Sequence, residues 1–327
     1  MDQSNNSEIA WFSNMPALAP IAKRQMNLNF VRMNMDLSQA VDRKASAVGG
    51  QPDFMRTLAR SMDAISNQSM KAILVFGVEP SATDTVGRCP SNESFMYVRS
   101  LAQQIVAVFG RHPALHSFEL LNEAYSSCGD GNKCDKVGIR QFVVDMYKLV
   151  RTMAPLALTS VSEAWYWWYI PAWYDVSSFA SFHIYPCGNL CKSSPVNATQ
   201  LSQAQALLAQ NIHDARKIAL PLPLMIGEFG VASLTLADQA WFYHSMYKVL
   251  RAHDIGSLFW DLSMSERAYG VLNTDGTLKP AAVAISEELS NVTRPAVLKL
   301  DDEATAGSCP TSLPPAPVEG ERRSKWR

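Results

Sequence analysis

The stretch that decides the fold is Ser117-Phe118-Glu119-Leu120-Leu121-Asn122-Glu123, an apolar run that ends in an Asn-Glu pair. A second stretch, Leu224-Met225-Ile226-Gly227-Glu228-Phe229-Gly230, also carries a glutamate near its end. Both runs have the length and composition of buried strands in a parallel sheet. The strands of a parallel barrel end at one mouth, so Glu123 and Glu228 are predicted to share that mouth.

Working outward, apolar runs of strand length alternate with helical patterns, which predicts an α/β fold of the (β/α)8 barrel type. Glu8-Ile9-Ala10-Trp11-Phe12 is the only material for a first strand, and its weakness suggests that the first βα unit is weak or truncated. Helical periodicity predicts helices within residues 95–109, 142–153, 201–218 and 241–250. Seven further strands are predicted at residues 28–34, 72–78, 117–122, 157–162, 179–184, 223–227 and 256–261.

The composition indicates one catalytic domain. The chain has 327 residues, of which 47% are hydrophobic, and a formal net charge of -1. We expect residues 1–300 to form a single barrel and residues 301–327, which are rich in proline and charge, to form a disordered tail. Nucleic acid is not an expected partner because the basic residues are scattered. No apolar run approaches the roughly 18 residues of a transmembrane helix, and a monomer is expected.

Cysteines and glycosylation sequons favour a secreted protein, although the N-terminal residues lack the features of a signal peptide. Six cysteines are present, and Cys128 with Cys134 and Cys187 with Cys191 have the spacing of disulfide-closed loops. We therefore expect an extracellular glycoprotein whose leader is absent from this sequence. The Asn-X-Ser/Thr sequons begin at Asn5, Asn67, Asn92, Asn197 and Asn291.

Two carboxyl groups at one mouth are the groups that retaining cleavage of a glycosidic bond requires. One carboxyl, predicted to be Glu123, must be protonated to donate to the leaving oxygen, and the charge of the other favours that state. The second, predicted to be Glu228, must be ionised and about 5–5.5 Å away to attack the anomeric carbon. The other predicted strand ends supply candidates for substrate binding and orientation: Arg32, Asn122, His183, Tyr185 and Trp260.

In this order the residues resemble the pattern of clan A glycoside hydrolases, most like glycoside hydrolase family 5, the cellulase and mannanase family. The resemblance covers residues 15–290 and includes Tyr269-Gly270-Val271-Leu272 near the last helix. It implies a retaining glycosidase of the endo-β-glucanase or β-mannanase type that acts on an oligo- or polysaccharide. Glu123 would be its acid/base and Glu228 its nucleophile.

The resemblance also implies that Arg32 and Tyr185 act on the nucleophile, that His183 lies near the acid/base, and that Trp260 forms an aromatic floor. From the chemistry, Asn122 is expected to donate to the sugar 2-hydroxyl. The sequence departs from the family where the strand ending Phe76-Gly77-Val78-Glu79 lacks the usual histidine, and where Ala124 replaces the usual proline. The missing histidine suggests an unusual subfamily or altered specificity.

An aromatic run beginning at Trp165 is the best candidate for additional sugar subsites, with a packed aromatic lid as the alternative. Glu163, just before it, could be a third carboxylate of the pocket or a structural residue.

Each candidate also has a structural explanation. Either glutamate could form a surface salt bridge, Arg32 could bind backbone carbonyls, and His183 could be a neutral core histidine. At the level of the whole protein, the rivals are a catalytically inactive carbohydrate-binding barrel and a metal-dependent barrel hydrolase. No nucleophile elbow, Walker A loop or dinucleotide fingerprint occurs, so no cofactor is predicted. The six histidines are scattered along the chain, so no metal is predicted.

Overall fold

Parallel strands with helices between them form the framework of the protein. The computed structural model describes residues 9–37, 50–77, 92–125, 136–164, 167–187, 196–231, 235–262 and 269–290. One sheet has the order β1 to β4, namely Phe30–Asp36, Lys71–Gly77, Leu115–Glu119 and Leu158–Ser160. The other has the order β5 to β8, namely Ser162–Ala164, Ala180–Ile184, Leu224–Phe229 and Gly256–Phe259.

The two sheets are separated by a break within one predicted strand. Residues 157–162 were expected to form a single strand, but the ladder is interrupted at Val161, so that β4 and β5 are short. The neighbouring segment spans this break, because Leu120 N donates to Ser160 O at 2.8 Å and Ala124 N donates to Ser162 O at 3.1 Å. Strands β1 and β8 approach within 8 Å between Cα atoms. In the described residues no ladder joins β1 to β8, so hydrogen bonds do not close the barrel.

Seven α-helices lie in the described part of the chain, and a 3-10 helix, Trp167–Trp173, lies between β5 and β6. The four predicted helices are confirmed, and each begins earlier than predicted because apolar periodicity starts only after the cap. Asn197 caps the helix Ala198–Ala219 through a reciprocal pair of hydrogen bonds with Gln200, and Thr235 caps the helix Leu236–Ala252. The helices are α1 Ile9–Arg24, α2 Gly50–Asn67, α3 Asn92–Phe109, α4 Lys136–Met153, α5 Ala198–Ala219, α6 Leu236–Ala252 and α7 Pro280–Ser290.

The predicted first strand is wrong, because residues 9–12 lie in helix α1. The buried residues of this helix are Met15, Leu18, Ala19 and Ala22. Their spacing of three and four residues is that of one helix face. This helical periodicity, and not the short apolar run at the beginning, determines the secondary structure. Helix α1 packs against α2.

Alternation along the strands separates the hydrophobic core from the site. Leu74 and Phe76 of β2 and Phe118 of β3 belong to the hydrophobic core cluster. Successive strand side chains point to opposite faces, so Ser117 and Glu119 point away from that cluster. Polar side chains are therefore gathered on the inner side of the strands.

The predicted boundaries of the domain stay a prediction, because residues from 291 onward lie outside the described part. All described residues belong to one compact unit. No described helix has the length and apolar character needed to cross a membrane. Cys187 is disulfide-bonded. Its predicted partner Cys191 and the predicted pair Cys128 and Cys134 lie outside the described residues, so the pairing also stays a prediction.

Candidate active site

Arg32 lies at the centre of the site. It is the third residue of β1 rather than the last, which corrects the prediction that the strand ends there, and its long side chain reaches two other strands. Its Nη1 donates to Glu228 Oε1 at 2.5 Å, and its Nη2 donates to Asn122 Oδ1 at 2.7 Å. Burial lowers the pKa of Arg32, but neighbouring Glu119 and Glu228 carboxylates raise it above its ordinary value. The guanidinium is therefore a fixed positive charge.

Glu228 is held in its ionised form by its surroundings. It lies in β7, and Tyr185 OH donates to its Oε2 at 2.6 Å while Arg32 binds Oε1. Burial raises the pKa of Glu228, but His183, Arg32 and the Tyr185 hydrogen bond together lower it below the ordinary glutamate value. Burial and the adjacent Glu228 charge raise the pKa of Tyr185, so its hydroxyl stays a donor. This carboxylate is charged, oriented and largely shielded from water.

Glu123 has a more open setting in a tight turn after β3. Its side chain is 27% exposed, against 9% for Glu228. Its φ of 46° lies in the left-handed region, which a residue other than glycine adopts only when the surroundings fix it. Ser162 does so, because Glu123 N donates to Ser162 Oγ at 3.1 Å. The turn directs the carboxyl group of Glu123 toward β6.

His183, in β6, lies between the two carboxyl groups. Its Nδ1 is 2.8 Å from Glu123 Oε1 and 3.5 Å from Glu228 Oε2. Its Nε2 is buried and has no hydrogen-bond partner among the described residues. The ring proton therefore belongs on Nδ1, where acceptors are present. His183 joins the acid/base candidate to the nucleophile candidate.

The gap between the two glutamates decides what they can do together. One carboxylate oxygen of Glu123, one of Glu228 and a ring nitrogen of His183 all lie within 4.8 Å of one another. Carboxyl groups at this separation suit direct attack on a sugar, whereas inverting enzymes need roughly 6.5–9.5 Å to admit a water. In the described residues this is the one cluster whose geometry could also hold a metal ion. The Arg32 cation bound to Glu228 opposes that use, because it would repel a second positive charge.

The fold is shared with solved enzymes that act on sugars. A family 5, subfamily 18 glycoside hydrolase (GH5_18) from Streptomyces cattleya matches with a TM-score of 0.67 at 15% identity, over 85% of this chain and 74% of that one. The exo-β-1,4-mannosidase Op5Man5 from Opitutaceae bacterium strain TAV5 matches with a TM-score of 0.66 at 16% identity, over 86% of this chain and 56% of that one. The chain has the fold of the family 5 glycoside hydrolases. Endoglucanase Cel5A from the hyperthermophilic Thermotoga maritima also shares this fold. It matches with a TM-score of 0.59 at 13% identity, over 83% of this chain and 89% of that one.

These comparisons confirm the predicted family 5 resemblance at the level of the fold. No protein-family model matches the sequence, and no curated protein matches it either. Because identities of 13–16% establish a fold alone, the residues of the site carry the argument for activity.

Two site residues were missed by the sequence analysis. Glu119, in β3, is completely buried and binds Arg32 through two hydrogen bonds, of 3.0 Å from Nε and 2.5 Å from Nη2. Ser162, at the start of β5, donates to Glu119 Oε1 at 2.6 Å. A charged residue between Phe118 and the apolar pair Leu120 and Leu121 is the signal that could have identified Glu119. Nothing in the sequence distinguishes Ser162 from other serines.

The aromatic predictions have mixed outcomes. Trp260 follows β8 next to the strand of Glu228, and its side chain is half-buried. The Trp260–Asp261 peptide bond is cis. Trp165 lies outside the described residues, so its predicted subsite role stays a prediction. Further along the chain, Trp173 is buried and its Nε1 donates to Glu163 Oε1 at 2.8 Å, which gives Glu163 a structural position rather than a place among the pocket carboxylates.

The position of the missing histidine is filled differently in this chain. Strand β2 ends at Gly77, which pairs with Asp36 of β1. A Cβ at Gly77 would lie 2.6 Å from Asn34 Oδ1, so a side chain there would displace Asn34. Asn34 is two residues beyond Arg32 and on the same face of the strand. An asparagine on the adjacent strand thus borders the space near the end of β2.

Proposed function

We propose that the protein is a retaining β-glycoside hydrolase that cleaves a β-linked polysaccharide or glycoconjugate by double displacement. The observation that supports this most directly is the pair of glutamate carboxyl groups within 4.8 Å of each other. Their environments differ as the two roles require. Glu228 is buried between two donors, and Glu123 is partly open to solvent.

In the first step, Glu228 Oε attacks the anomeric carbon while Glu123 gives its proton to the glycosidic oxygen. The bond from carbon to the leaving group breaks as the ester bond to Glu228 forms, and the leaving sugar departs as an alcohol. Glu123 then carries the negative charge. His183 Nδ1–H, at 2.8 Å from Glu123 Oε1, stabilises that charge.

In the second step, Glu123 accepts a proton from a water molecule, which attacks the anomeric carbon from the side that the leaving group vacated. The ester bond to Glu228 breaks, the sugar is released with its original configuration, and Glu123 is protonated again. Arg32 and Tyr185, which bind the two oxygens of Glu228, stabilise it as the leaving carboxylate.

Two more residues are assigned to the substrate. Asn122 Oδ1 is bound by Arg32, so its amide nitrogen is directed to act as the donor for the sugar 2-hydroxyl, a contact that strengthens in the transition state. Trp260 offers a flat face for the C–H surface of the sugar ring. The catalytically inactive binding barrel is not favoured, because the proton donor, the nucleophile and the groups that orient them are all present.

The test is a panel of β-glucans, β-mannans and aryl β-glycosides. Substrates for both internal and terminal cleavage are included, because the structural neighbours include an exo-mannosidase and an endoglucanase. We expect Glu228→Gln to lower the rate by at least about 10³-fold with the folded state intact. Unchanged turnover in that variant would refute the nucleophile assignment. Full inactivation of the wild type by a chelator would favour the metal-dependent rival.

Retention has its own test. A 2-deoxy-2-fluoro glycoside with a good leaving group should leave a sugar covalently attached to Glu228, visible by mass spectrometry of the digested protein. Export and glycosylation are likewise proposed, on the cysteines and sequons. Mass analysis of the protein purified from culture medium tests them.

A further inference from the structure

Glu119 is buried, but its environment indicates that it modulates the charge of the candidate site rather than only packing in the core. It is completely buried, and both of its oxygens accept hydrogen bonds from Arg32, at 2.5 and 3.0 Å. A buried carboxylate is costly unless it is paired and hydrogen-bonded. In this site its partner is the same arginine that binds the proposed nucleophile.

Arg32 is shared between two carboxylates. Its Nη2 and Nε face Glu119, while its Nη1 faces Glu228 Oε1 at 2.5 Å. An arginine that faced Glu228 alone would concentrate its charge on that carboxylate and make it a poorer nucleophile. A second carboxylate behind the guanidinium divides the charge and holds the planar group in one orientation.

We propose that Glu119 is a positioning residue, which holds Arg32 between itself and Glu228 and thereby keeps the nucleophile both oriented and reactive. This inference rests on the proposed function of Glu228. Glu119 does not touch the substrate and acts through Arg32.

Ser162 extends the same arrangement to the acid/base. Its Oγ donates to Glu119 Oε1 at 2.6 Å and accepts from Glu123 N at 3.1 Å. The backbone turn that directs Glu123 and the guanidinium that directs Glu228 are therefore joined through two buried side chains. A hydrogen-bond chain of this kind fixes the distance between the two carboxyl groups.

The charge balance around Glu228 gives a direction that can be measured. Removal of the Glu119 charge leaves Arg32 to Glu228 alone and removes a nearby negative charge. Both changes favour ionised Glu228, so its titration must move to lower pH. The titratable and charged groups that face Glu228 or its arginine are Glu119, Arg32, Glu123, His183, Tyr185 and Tyr269.

The experiment compares three variants with the wild type. Glu119→Gln removes the charge, Glu119→Asp keeps it, and Glu163→Gln is the matched control. Glu163 is also completely buried, but it binds Trp173 Nε1 and Tyr125 N. For each protein, kcat and KM are measured against pH with an aryl β-glycoside. The Glu228 carboxyl is titrated directly by ¹³C NMR of glutamate-labelled protein, with Glu228→Gln used to assign the signal.

We expect Glu119→Gln to move the Glu228 titration and the acidic limb of kcat/KM down by about one pH unit, with kcat lowered at least 10-fold and KM changed less. Glu119→Asp and Glu163→Gln should leave both titrations near the wild-type position. The inference is overturned if Glu119→Gln titrates like Glu163→Gln. A wild type that cleaves no glycoside refutes the proposed function instead, and the NMR titration still decides whether Glu119 sets the charge of Glu228.

Discussion

Replacement of Gly227 by alanine tests whether the position of His183 matters for activity. A Cβ at Gly227 would collide with Ser181 Oγ and would lie 2.9 Å from Nε2 and 3.0 Å from Cδ2 of His183. To reach the ordinary contact distance of 3.4 Å, Nε2 would have to retreat by about 0.5 Å. The opposite ring atom, Nδ1, forms a 2.8 Å hydrogen bond with Glu123 Oε1, which cannot absorb such a movement unchanged.

The expected cost has two parts. Overpacking of the interior destabilises proteins by about 1–3 kcal/mol, which thermal unfolding measures. Misplacement of a catalytic group by a fraction of an ångström lowers kcat/KM by roughly 10- to 100-fold, measured with an aryl β-glycoside. Gly256→Ala is the control, because the nearest atom to its new Cβ is Met225 Cγ at 4.0 Å. If Gly227→Ala retained the activity and stability of Gly256→Ala, the reasoning about His183 would be refuted.

Three further predictions concern the charges of the site and the outer helices. Tyr185→Phe removes a hydrogen bond that lowers the pKa of Glu228 below the ordinary glutamate value. The acidic limb of kcat/KM should therefore move to higher pH than in the wild type, with kcat/KM lowered about 10- to 100-fold; a limb that moves down contradicts this. Glu123→Ala should slow substrates with poor leaving groups far more than activated ones, and azide should restore the activated ones; equal losses would exclude Glu123 as the acid. Glu288 pairs with residues of α6, so Glu288→Ala should lower the free energy of unfolding by about 1–3 kcal/mol. The side chain of Glu287 is 58% exposed, so Glu287→Ala should lower it by under about 0.5 kcal/mol. Chemical denaturation compares the two, and equal losses would contradict the prediction.

Most of the strands could be predicted because each must be apolar on both faces or alternate strictly. Residues 9–12 were wrongly predicted as a strand, because their short apolar run begins a helix. The break in the ladder at Val161 was not predicted, because no glycine or proline indicates it. Strand interruptions depend on contacts with neighbouring strands. A local pattern does not contain them.

Within the candidate site, the residues that follow apolar runs of the sequence were recognisable and the residue inside such a run was not. Asn122, Glu123 and Tyr185 follow apolar runs, so their chemistry stands out. Glu119 sits within such a run, and its significance depends on a hydrogen bond to a residue 87 positions away. Only the register of three adjacent strands brings those two side chains together.

The sequence by itself determined the class of fold and the two carboxyl groups at the barrel mouth, because buried parallel strands require apolar runs and end on the same rim. The tertiary structure alone decided which donors hold Glu228, the predicted nucleophile, in its charged form. Glu228 receives Arg32 from 196 positions away and Tyr185 from 43, whereas Glu123 faces His183 and solvent. The state of a carboxyl group depends on the donors and the burial around it, and lateral packing, not order along the chain, assembles those donors.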